Sequence, residues 1–364
     1  MSNLYLYSTI EADEAGSGER KKVNMQIDAL CALGYPTKII VNEKHGNSFR
    51  YRSRLPGPFA YSNEIIKETV DRIGEDTQFI YIRKYLIDSS FIKLLKQIRQ
   101  KKTDIRIFME IPTYPYDREW FRLIDKPMLW KEKIYRQHVD RYLDYIITLD
   151  DSKEIFGVPC INIINGIDQS YIRTRKPVKH TGTDVHMLAV ALFQPSHGYE
   201  RVLEGMHTYY QGNPERKIMF HLVGDGVEKM YGELIRKWAL EPYLVQYGRL
   251  YGEELDKVFD YCQIGIGPLG LYKAGINKAG TLKSREYCAR GLPFVYSGTD
   301  DILEENGFPY ACQVSNDRTP LDLNDVLEFY DRLGDEEEMI RRMAQFSEDH
   351  FQWKSIMKKV VGKL

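Results

Sequence analysis

A helix that follows a glycine-bearing loop is predicted within residues 278–296, KAGTLKSREYCARGLPFVY, and its start is suited to binding an anion. Gly280 and Thr281 open this helix, with Thr281 at the N-cap and Leu282 next, and Gly291 ends it. The first N–H groups of a helix have no partner within it, and they lie at the positive end of the helix dipole. The pattern therefore predicts a phosphate-binding helix start.

Charged side chains around this helix start indicate what it could bind. Lys278, Lys283 and Arg285 add positive charge. Glu286 lies one turn further into the helix, where a carboxylate can accept hydrogen bonds from a ribose diol, as acidic residues do in dinucleotide-binding folds. One helix could therefore hold the phosphates and the ribose of a nucleotide. The alternative is an ordinary strand–helix unit in which Glu286 is a solvated surface residue.

A second group of reactive side chains lies in the segment EIPTYPYD, residues 110–117, at the end of a predicted strand. Residues at the carboxyl ends of parallel strands line the crevice of a doubly wound sheet. Tyr114 and Tyr116 offer rigid rings that suit a sugar face. Glu110 and Asp117 could orient an acceptor hydroxyl or accept its proton. The alternatives are that Glu110 caps a turn and that Asp117 is the N-cap of the next helix.

Short apolar strands alternate with helical segments along the chain, which predicts an α/β fold with two doubly wound parallel sheets. The first half opens with a βαβ unit, and the alternation resumes in the second half from about residue 186. A turn signal at 165–168, followed by a basic and polar stretch, marks the boundary between the halves. The predicted domains are 1–168, joined by 346–364, and 169–345.

Composition limits the classes of function. The chain has 364 residues and a net charge of −1, so we expect no broad electrostatic attraction to nucleic acid. Its five cysteines include no CxxC pair, which favours buried thiols in a reducing cytosol. No apolar run reaches the ~18–20 residues that span a bilayer, and no basic leader precedes the first strand. We therefore expect a cytoplasmic protein. Without an Asp-x-Asp triplet or zinc-type histidine spacing, we expect neither metal nor cofactor.

The segment 278–296 resembles the donor-binding motif of GT-B glycosyltransferases, especially the retaining enzymes of family 4. Their pattern is Glu, seven residues, Glu, and then Ala-x-x-Gly-x-Pro-Val. Glu286 matches the second Glu and residues 291–295, GLPFV, match the tail, whereas Lys278 stands at the first Glu position. Three earlier motifs match the family's strands in order and spacing: FHLVGDG with Gly224, YGRL with Gly248 and Arg249, and GIGPL with Pro268.

The resemblance implies two Rossmann-like domains that face each other across a cleft, with the C-terminal helix crossing back to the first domain. It also implies a nucleotide-diphosphate sugar as the donor, bound without a metal. The family's Arg and Lys on the diphosphate are replaced here by Ala191 and His197, so Lys278, Lys283 and Arg285 are expected to supply the charge. The residues expected to bind the donor are Gly16, Ser17, Gly18, His197, Gly224, Gly248, Arg249, Pro268, Lys278, Gly280, Thr281, Leu282 and Glu286.

The segment 110–117 resembles a motif of bacterial capsular and exopolysaccharide enzymes of this fold. The resemblance to family 4 implies transfer with retention of configuration. The two resemblances together imply a hexose transferred to a glycan or lipid-linked glycan in surface polysaccharide biosynthesis. Peripheral contact with the inner face of the cytoplasmic membrane would suit such an acceptor. Two alternatives remain open: a catalytically silent partner protein with this fold, and a sugar-nucleotide epimerase. The residues expected to be catalytic are Glu110, Asp117, Lys283 and Arg285, and those expected at the acceptor are Tyr114 and Tyr116.

Overall fold

The computed structural model describes residues 2–9, 18–43, 60–117, 126–177, 182–278 and 280–364. The chain divides into two units, Met1–Ile164 with Trp353–Leu364, and Asn165–Gln352. The corresponding limits predicted from the sequence are 168 and 346. Each unit is built on a sheet of mainly parallel strands.

The first unit has a seven-stranded sheet in the order β2-β1-β3-β4-β5-β7-β6. Every neighbouring pair is parallel except β6 and β7 at one edge. Its strands are β1 (Asn3–Thr9), β2 (Thr37–Glu43), β3 (Phe79–Arg83), β4 (Arg106–Ile111), β5 (Tyr145–Thr148), β6 (Glu154–Ile155) and β7 (Val158–Asn162). Its helices before the crossing to the second unit are α1 (Gly18–Ala32), α2 (Asn63–Asp71), α3 (Ser89–Lys101) and α4 (Lys126–Tyr135).

The two faces of this sheet differ in chemistry. Successive side chains of a strand point to opposite faces. On one face the buried residues are apolar and include Ile80, Ile82 and Met109. On the other face lie Tyr81 and Glu110, both fully buried. The sheet is therefore covered on both sides, and one side carries a buried carboxylate.

The second unit has a six-stranded sheet in the order β10-β9-β8-β11-β12-β13, all parallel. Its strands are β8 (Val185–Val190), β9 (Ile218–Val223), β10 (Leu244–Gly248), β11 (Ile264–Ile266), β12 (Phe294–Ser297) and β13 (Ala311–Val314). Its helices are α5 (Glu200–Gln211), α6 (Val227–Lys237), α7 (Gly252–Tyr261), α8 (Leu282–Arg290), α9 (Asp301–Glu305), α10 (Leu323–Asp331) and α11 (Glu336–Phe351).

The strand order of the second unit reverses direction between β8 and β11. From β8 the chain adds β9 and β10 on one side, and it then returns to add β11, β12 and β13 on the other. In open parallel sheets, ligands bind in the crevice beyond the carboxyl ends of the strands at such a reversal. The predicted fold of two parallel-sheet α/β units is confirmed, and the donor motifs belong to the unit that contains this reversal.

The last helix, α12 (Trp353–Val361), belongs to the first unit and packs on α1. The Trp353 ring is fully buried, and the Lys22 ammonium of α1 lies 5.4 Å from its centroid. The return of the C-terminal helix to the first domain, which the resemblance implied, is therefore confirmed.

Candidate functional site

The start of α8 is built as the sequence predicts. The Thr281 hydroxyl accepts a hydrogen bond from the N–H of Ser284 at 3.3 Å, so Thr281 is the N-cap and Leu282 the first helical residue. Gly291 ends the helix in the left-handed conformation, with φ of 75°, which glycine adopts without a Cβ clash. Capping by Thr281 leaves other N–H groups of the first turn without an intrahelical acceptor.

Two donors converge near this helix start, one from the segment after β8 and one from α8 itself. His197 follows β8, and its Nε2 lies 3.1 Å from the Nζ of Lys283 on α8. Its Nδ1 accepts a hydrogen bond from the N–H of Gln194 at 3.1 Å. A neutral imidazole has one N–H, and because Nδ1 accepts, that hydrogen lies on Nε2. Both facing nitrogens therefore carry protons.

The charge states of these two groups follow from their surroundings. Burial, together with the nearby charge of Lys283, lowers the pKa of His197 to about 3, so the imidazole is neutral at pH 7. Burial also lowers the pKa of Lys283 to about 8, and at pH 7 it is still mainly an ammonium. A neutral N–H and an ammonium that face each other can share one anionic oxygen. The arrangement is suited to binding a phosphate oxygen.

The loops after β8 and β11 are fixed against each other at the reversal. A Cβ on Gly198 would lie 2.4 Å from the backbone nitrogen of Gly270, so only glycine permits this approach. The N–H of Leu269 donates to the His197 carbonyl at 2.7 Å. Pro268 is held on the same side, because the Ser297 hydroxyl donates to its carbonyl at 3.2 Å. These contacts hold His197 in place beside α8.

The strand ends of β8, β9 and β10 also meet. Gly224 has φ of 123°, and a Cβ there would lie 1.8 Å from the Ala191 carbonyl oxygen. Its N–H donates to the carbonyl of Gly248 at 2.6 Å. Arg249 follows and forms an ion pair with Asp225 at 2.5 Å, with its side chain 43% exposed. The predicted residues Gly224, Gly248 and Arg249 are therefore brought together at one edge of the unit.

Lys278 and Glu286 each have a charged partner. The Lys278 Nζ lies 2.6 Å from an Asp301 oxygen. Glu286 is partly exposed and accepts a hydrogen bond from Arg290 at 3.0 Å. Arg290 also pairs with Asp256 at 2.7 Å, so it does not depend on Glu286 alone. Their expected contacts to a donor stay predictions.

Arg285 is enclosed within the second unit. Its guanidinium is 1% exposed and donates to Asp300 at 2.6 and 3.2 Å, and to the Asn165 carbonyl at 3.1 Å. A Cβ on Gly280 would lie 2.7 Å from its Nη2, so the loop at Gly280 rests directly on it. The expected catalytic role of Arg285 stays a prediction, but these contacts are those of a residue that positions others. The sequence could not have paired it with Asp300 by a motif.

Glu110 lies in the first unit among four donors. Lys22 and Arg83 contact its carboxylate at 2.9 and 2.8 Å, Gln26 donates to it at 2.9 Å, and Tyr81 donates a further hydrogen bond. Burial alone would raise the pKa of Glu110, but the charges of Lys22 and Arg83 outweigh it and lower that pKa to about 2. The carboxylate is ionised and 0% exposed.

This arrangement bears on the role expected of Glu110. A carboxylate with a low pKa and four donors is a weak proton acceptor. Its role as an acceptor base stays a prediction, and neither it nor the turn cap considered as the alternative describes the observed network. Sequence analysis did not connect Lys22, Gln26 or Arg83 with Glu110, and the basic residues at 20–22 suggested added charge near the phosphates or a solvated helix face. The signal was that Lys22 and Gln26 stand four residues apart on one face of α1.

Asp117 and the two tyrosines form a separate cluster in the first unit. Arg136 donates to Asp117 at 2.6 and 3.2 Å, and these hydrogen bonds lower the pKa of the Asp117 carboxyl below its usual value. The rings of Tyr114 and Tyr116 lie 6.3 Å apart, and the Lys84 ammonium is 3.8 Å from the Tyr116 centroid. Arg136 also lies 5.8 Å from the Tyr116 centroid and so connects Asp117 with the tyrosine pair. Tyr116 is buried, whereas Tyr114 is partly exposed.

The remaining predicted donor residues lie at the start of α1. Gly18 is the first residue of that helix. Gly16 and Ser17 lie outside the described residues. Within the described ranges, no group of three or more His, Cys, Asp or Glu side chains could hold a metal ion. No helix in the same ranges is long and apolar enough to span a membrane.

Comparison with solved structures identifies the fold. The chain is similar to trehalose-6-phosphate synthase OtsA, with a TM-score of 0.64 and 14% identity over 100% of this chain and 99% of that one. It is similar to sucrose-phosphate synthase from Thermosynechococcus elongatus, with a TM-score of 0.63 and 14% identity over 99% and 98%. A complex of an S. aureus TarM variant with Fondaparinux, alpha-GlcNAc-glycerol and UDP matches with a TM-score of 0.55 and 12% identity over 82% and 58%.

No protein-family model matches the chain, and no curated protein matches it in sequence. At these identities the structures establish the fold alone. The chain has the GT-B fold of glycosyltransferases.

Proposed function

We propose that this protein is a glycosyltransferase that takes a sugar from a nucleoside-diphosphate donor bound at the start of α8. The observation that carries the proposal is the convergence of His197 and Lys283, 3.1 Å apart, at the strand-order reversal. A diphosphate that leaves a sugar gains negative charge in the transition state, and donors already in place stabilise that charge. The His197 N–H, the Lys283 ammonium and the first N–H groups of α8 are such donors.

The same site accommodates the rest of a nucleotide in this proposal. Glu286 lies one turn along α8 from Lys283 and accepts hydrogen bonds from the ribose diol. The base lies beside Gly248 and Arg249, which follow β10. Because Ala191 stands where the family has an arginine, Lys283 carries the main positive charge on the diphosphate. This charge compensates the leaving group in a metal-independent reaction.

The acceptor half of the proposal rests on the first unit. Tyr114 is partly exposed and offers a ring face for a sugar, and Asp117, also partly exposed, can bind a hydroxyl. Tyr116 is buried beneath the Lys84 ammonium and supports Tyr114 instead of contacting the sugar itself. The acceptor proposed is a glycan or lipid-linked glycan of a surface polysaccharide, and the transfer retains the anomeric configuration. A lipid-linked acceptor brings the protein to the inner face of the cytoplasmic membrane as a peripheral protein. Solved structures with this fold support the glycosyltransferase class, and one of them is a complex with UDP.

The test is to incubate the protein with a panel of UDP-, GDP- and ADP-sugars and measure released nucleoside diphosphate, with and without glycan acceptors. We expect release with one donor, stimulated by an acceptor, and strongly reduced in Lys283→Met. Lys237→Met is the matched control, because Lys237 is on the surface helix α6. No release from any donor would contradict the proposal.

Two other outcomes identify the alternatives. A sugar-nucleotide that changes its sugar without an acceptor, and without release of diphosphate, would indicate an epimerase. A protein that neither reacts nor binds UDP or GDP by calorimetry would be a silent partner. NMR analysis of the product linkage tests retention of configuration separately.

A further inference from the structure

We propose that Arg285 is a positioning residue that connects the nucleotide-binding loop to both segments where the chain passes between the two units. The inference rests on the proposed function, because it takes the start of α8 as the nucleotide site. It assigns to Arg285 a role in transmitting nucleotide binding, in place of direct contact with the diphosphate. Three sets of contacts within the second unit support it.

The two crossing segments lie side by side. The second unit begins at Asn165 and ends at Gln352. Ile167 and Gln352 pair as neighbouring parallel strands do, and the N–H of Ile167 donates to the Phe351 carbonyl at 2.8 Å. Local opening of one crossing segment therefore breaks contacts of the other.

Arg285 contacts both crossing segments. Its Nε donates to the carbonyl of Asn165 at 3.1 Å. Its guanidinium carbon lies 3.9 Å from the centroid of the Phe351 ring, the distance of a cation–π contact. The two hydrogen bonds to Asp300 hold the plane of the guanidinium, so it cannot turn away from either segment.

The nucleotide-binding loop is attached to the same group. The Asn165 side chain donates to the carbonyl of Gly280 at 2.8 Å, and Gly280 itself approaches Arg285 so closely that it has no room for a Cβ. On the other side of the loop, the N–H of Thr299 donates to the Asn277 carbonyl at 2.7 Å. Loop, guanidinium and crossing segments therefore form one continuous set of contacts.

The physical consequence is a coupling between ligand and chain crossings. A phosphate that binds the first N–H groups of α8 restrains Gly280 and Thr281. Because Gly280 is bound to Asn165 and rests on Arg285, the restraint extends to the crossing segments and makes their local opening less frequent. Lysine at position 285 keeps the charge beside Asp300 but has neither the planar fork nor the ring contact.

Amide hydrogen exchange measures this coupling directly. Peptides that contain Ile167 and Phe351 are followed in the wild type, Arg285→Lys and Asn165→Ala, with and without whichever of UDP, GDP and ADP the wild type binds, at saturating concentration. In the wild type we expect the nucleotide to slow their exchange by at least about fivefold, the lower end of typical coupling between sites. In both variants we expect the nucleotide to bind within about threefold of its wild-type Kd, and its effect on these peptides to be lost.

Arg99→Lys is the control for loss of a well-bonded arginine. Arg99 donates to Asp144 at 2.6 Å and to the Tyr142 carbonyl, and both of these partners belong to the first unit and to neither crossing segment. We expect this variant to retain the full effect of nucleotide on exchange. A purely structural role for Arg285 would raise exchange equally with and without nucleotide, and would leave the ratio unchanged.

The outcomes separate the two proposals. Nucleotide that protects the crossings equally in the wild type and in both variants overturns the role of Arg285 while leaving the proposed function intact. If nucleotide binds but does not change exchange at the wild-type crossing segments, the role of Arg285 is also overturned and the proposed function again stays intact. If the wild type binds none of UDP, GDP and ADP, the nucleotide site and the coupling are both refuted. If Arg285→Lys fails to fold, the exchange of Asn165→Ala tests the proposal, because this variant removes the hydrogen bond that joins the loop at Gly280 to the crossing segment.

Discussion

The two units differ in how their charged side chains are partnered. In the first, the Glu110 carboxylate is surrounded by four donors, among them the cations of Lys22 and Arg83. In the second, the protonated nitrogens of His197 and Lys283 face each other at 3.1 Å. Buried polar groups are stable when each has a partner, and two facing donors are stable when an anion joins them. The cluster around Glu110 therefore has its polar groups paired within the protein, whereas the pair of donors is the place where we propose that a ligand binds.

The largest expected effect is a loss of stability when the ion pairs of Glu110 in the first unit are broken. Glu110→Gln removes the negative charge that the enclosed Lys22 and Arg83 share, although Arg83 keeps its ion pair with the half-exposed Glu19 at 3.0 Å. Removing one partner of a buried ion pair typically costs about 3–5 kcal/mol, and we expect the free energy of unfolding to fall by that order. Chemical denaturation followed by circular dichroism measures it. Glu68→Gln, which breaks the exposed pair with Arg72, is the control and should leave the denaturation midpoint unchanged.

The same variant distinguishes a structural from a catalytic Glu110. If the carboxylate is an acceptor base, Glu110→Gln keeps wild-type stability and loses transfer by about 100-fold or more, the usual scale for such a group. We expect the reverse: large destabilisation, and transfer at low temperature reduced only in proportion to the folded fraction. Normal stability with lost transfer would restore the catalytic role.

The next largest effect is a loss of turnover when the donor pair of the second unit is broken. Lys283→Met keeps the length of the side chain and removes the ammonium that faces His197. Losing one preorganised donor to a developing anion costs about 10²–10³ in kcat, and we expect a loss of this size. Donor affinity should change less, because the charge on the diphosphate grows only as the bond breaks. Steady-state kinetics with the donor identified in the panel provide the measurement.

The stability of Lys283→Met is expected to differ from that of Glu110→Gln. Burial of an ammonium beside another donor disfavours the charged form, as the lowered pKa of Lys283 indicates. We therefore expect the unliganded variant to be at least as stable as the wild type. A Lys283→Met protein that unfolds as readily as Glu110→Gln would show that both clusters are structural.

A smaller effect is expected at the ribose position. Glu286→Ala removes up to two hydrogen bonds to a diol, and each charge-assisted bond contributes about 1.5–3 kcal/mol, so donor KM should rise at least tenfold. The change also removes one partner of Arg290. Asp256→Ala removes the other carboxylate partner of Arg290, 2.7 Å away, together with an ion pair to Arg173, and is the control for lost support of Arg290. Equal increases in KM for the two variants would assign Glu286 to the support of Arg290 only.

How far the sequence predicts this structure depends on how local the signals are. The cap at Thr281, the glycine that ends α8 and the alternation of strands and helices are local, and each is confirmed. The glycines at 198 and 270 are equally local in sequence, yet their contact depends on the pairing of β8 with β11. Local patterns therefore predicted the helices and strands, whereas the contacts between loops at the reversal depend on which strands pair.

The partners of the charged residues are not local. Gln26 is 84 residues from Glu110 and Arg83 is 27 residues from it, on different elements. Arg285 finds its partner Asp300 across the turn after β12, which no charge pattern on α8 foretells. A sequence motif shows that a charge is present, but whether the charge is satisfied depends on which elements meet. For this reason the sequence predicted catalytic roles for Glu110 and Arg285, whereas the structure shows both side chains inside clusters where their charges are paired.

The smallest expected effect concerns the pH dependence of the donor pair. Burial lowers the pKa of Lys283 from its usual range to about 8, so the ammonium is present below pH 8 and is lost as pH rises through that value. Since the charged form stabilises the leaving diphosphate, kcat/KM for the donor should fall on the alkaline side, by about fivefold between pH 8 and pH 9. His197 adds no transition between pH 5 and 9, because its pKa lies near 3. Lys283→Arg keeps a charge throughout this range and should move the alkaline decline upward. A decline near pH 8 that persists in Lys283→Arg would assign the titration to another group, and the facing donors would then not be the source of charge on the diphosphate.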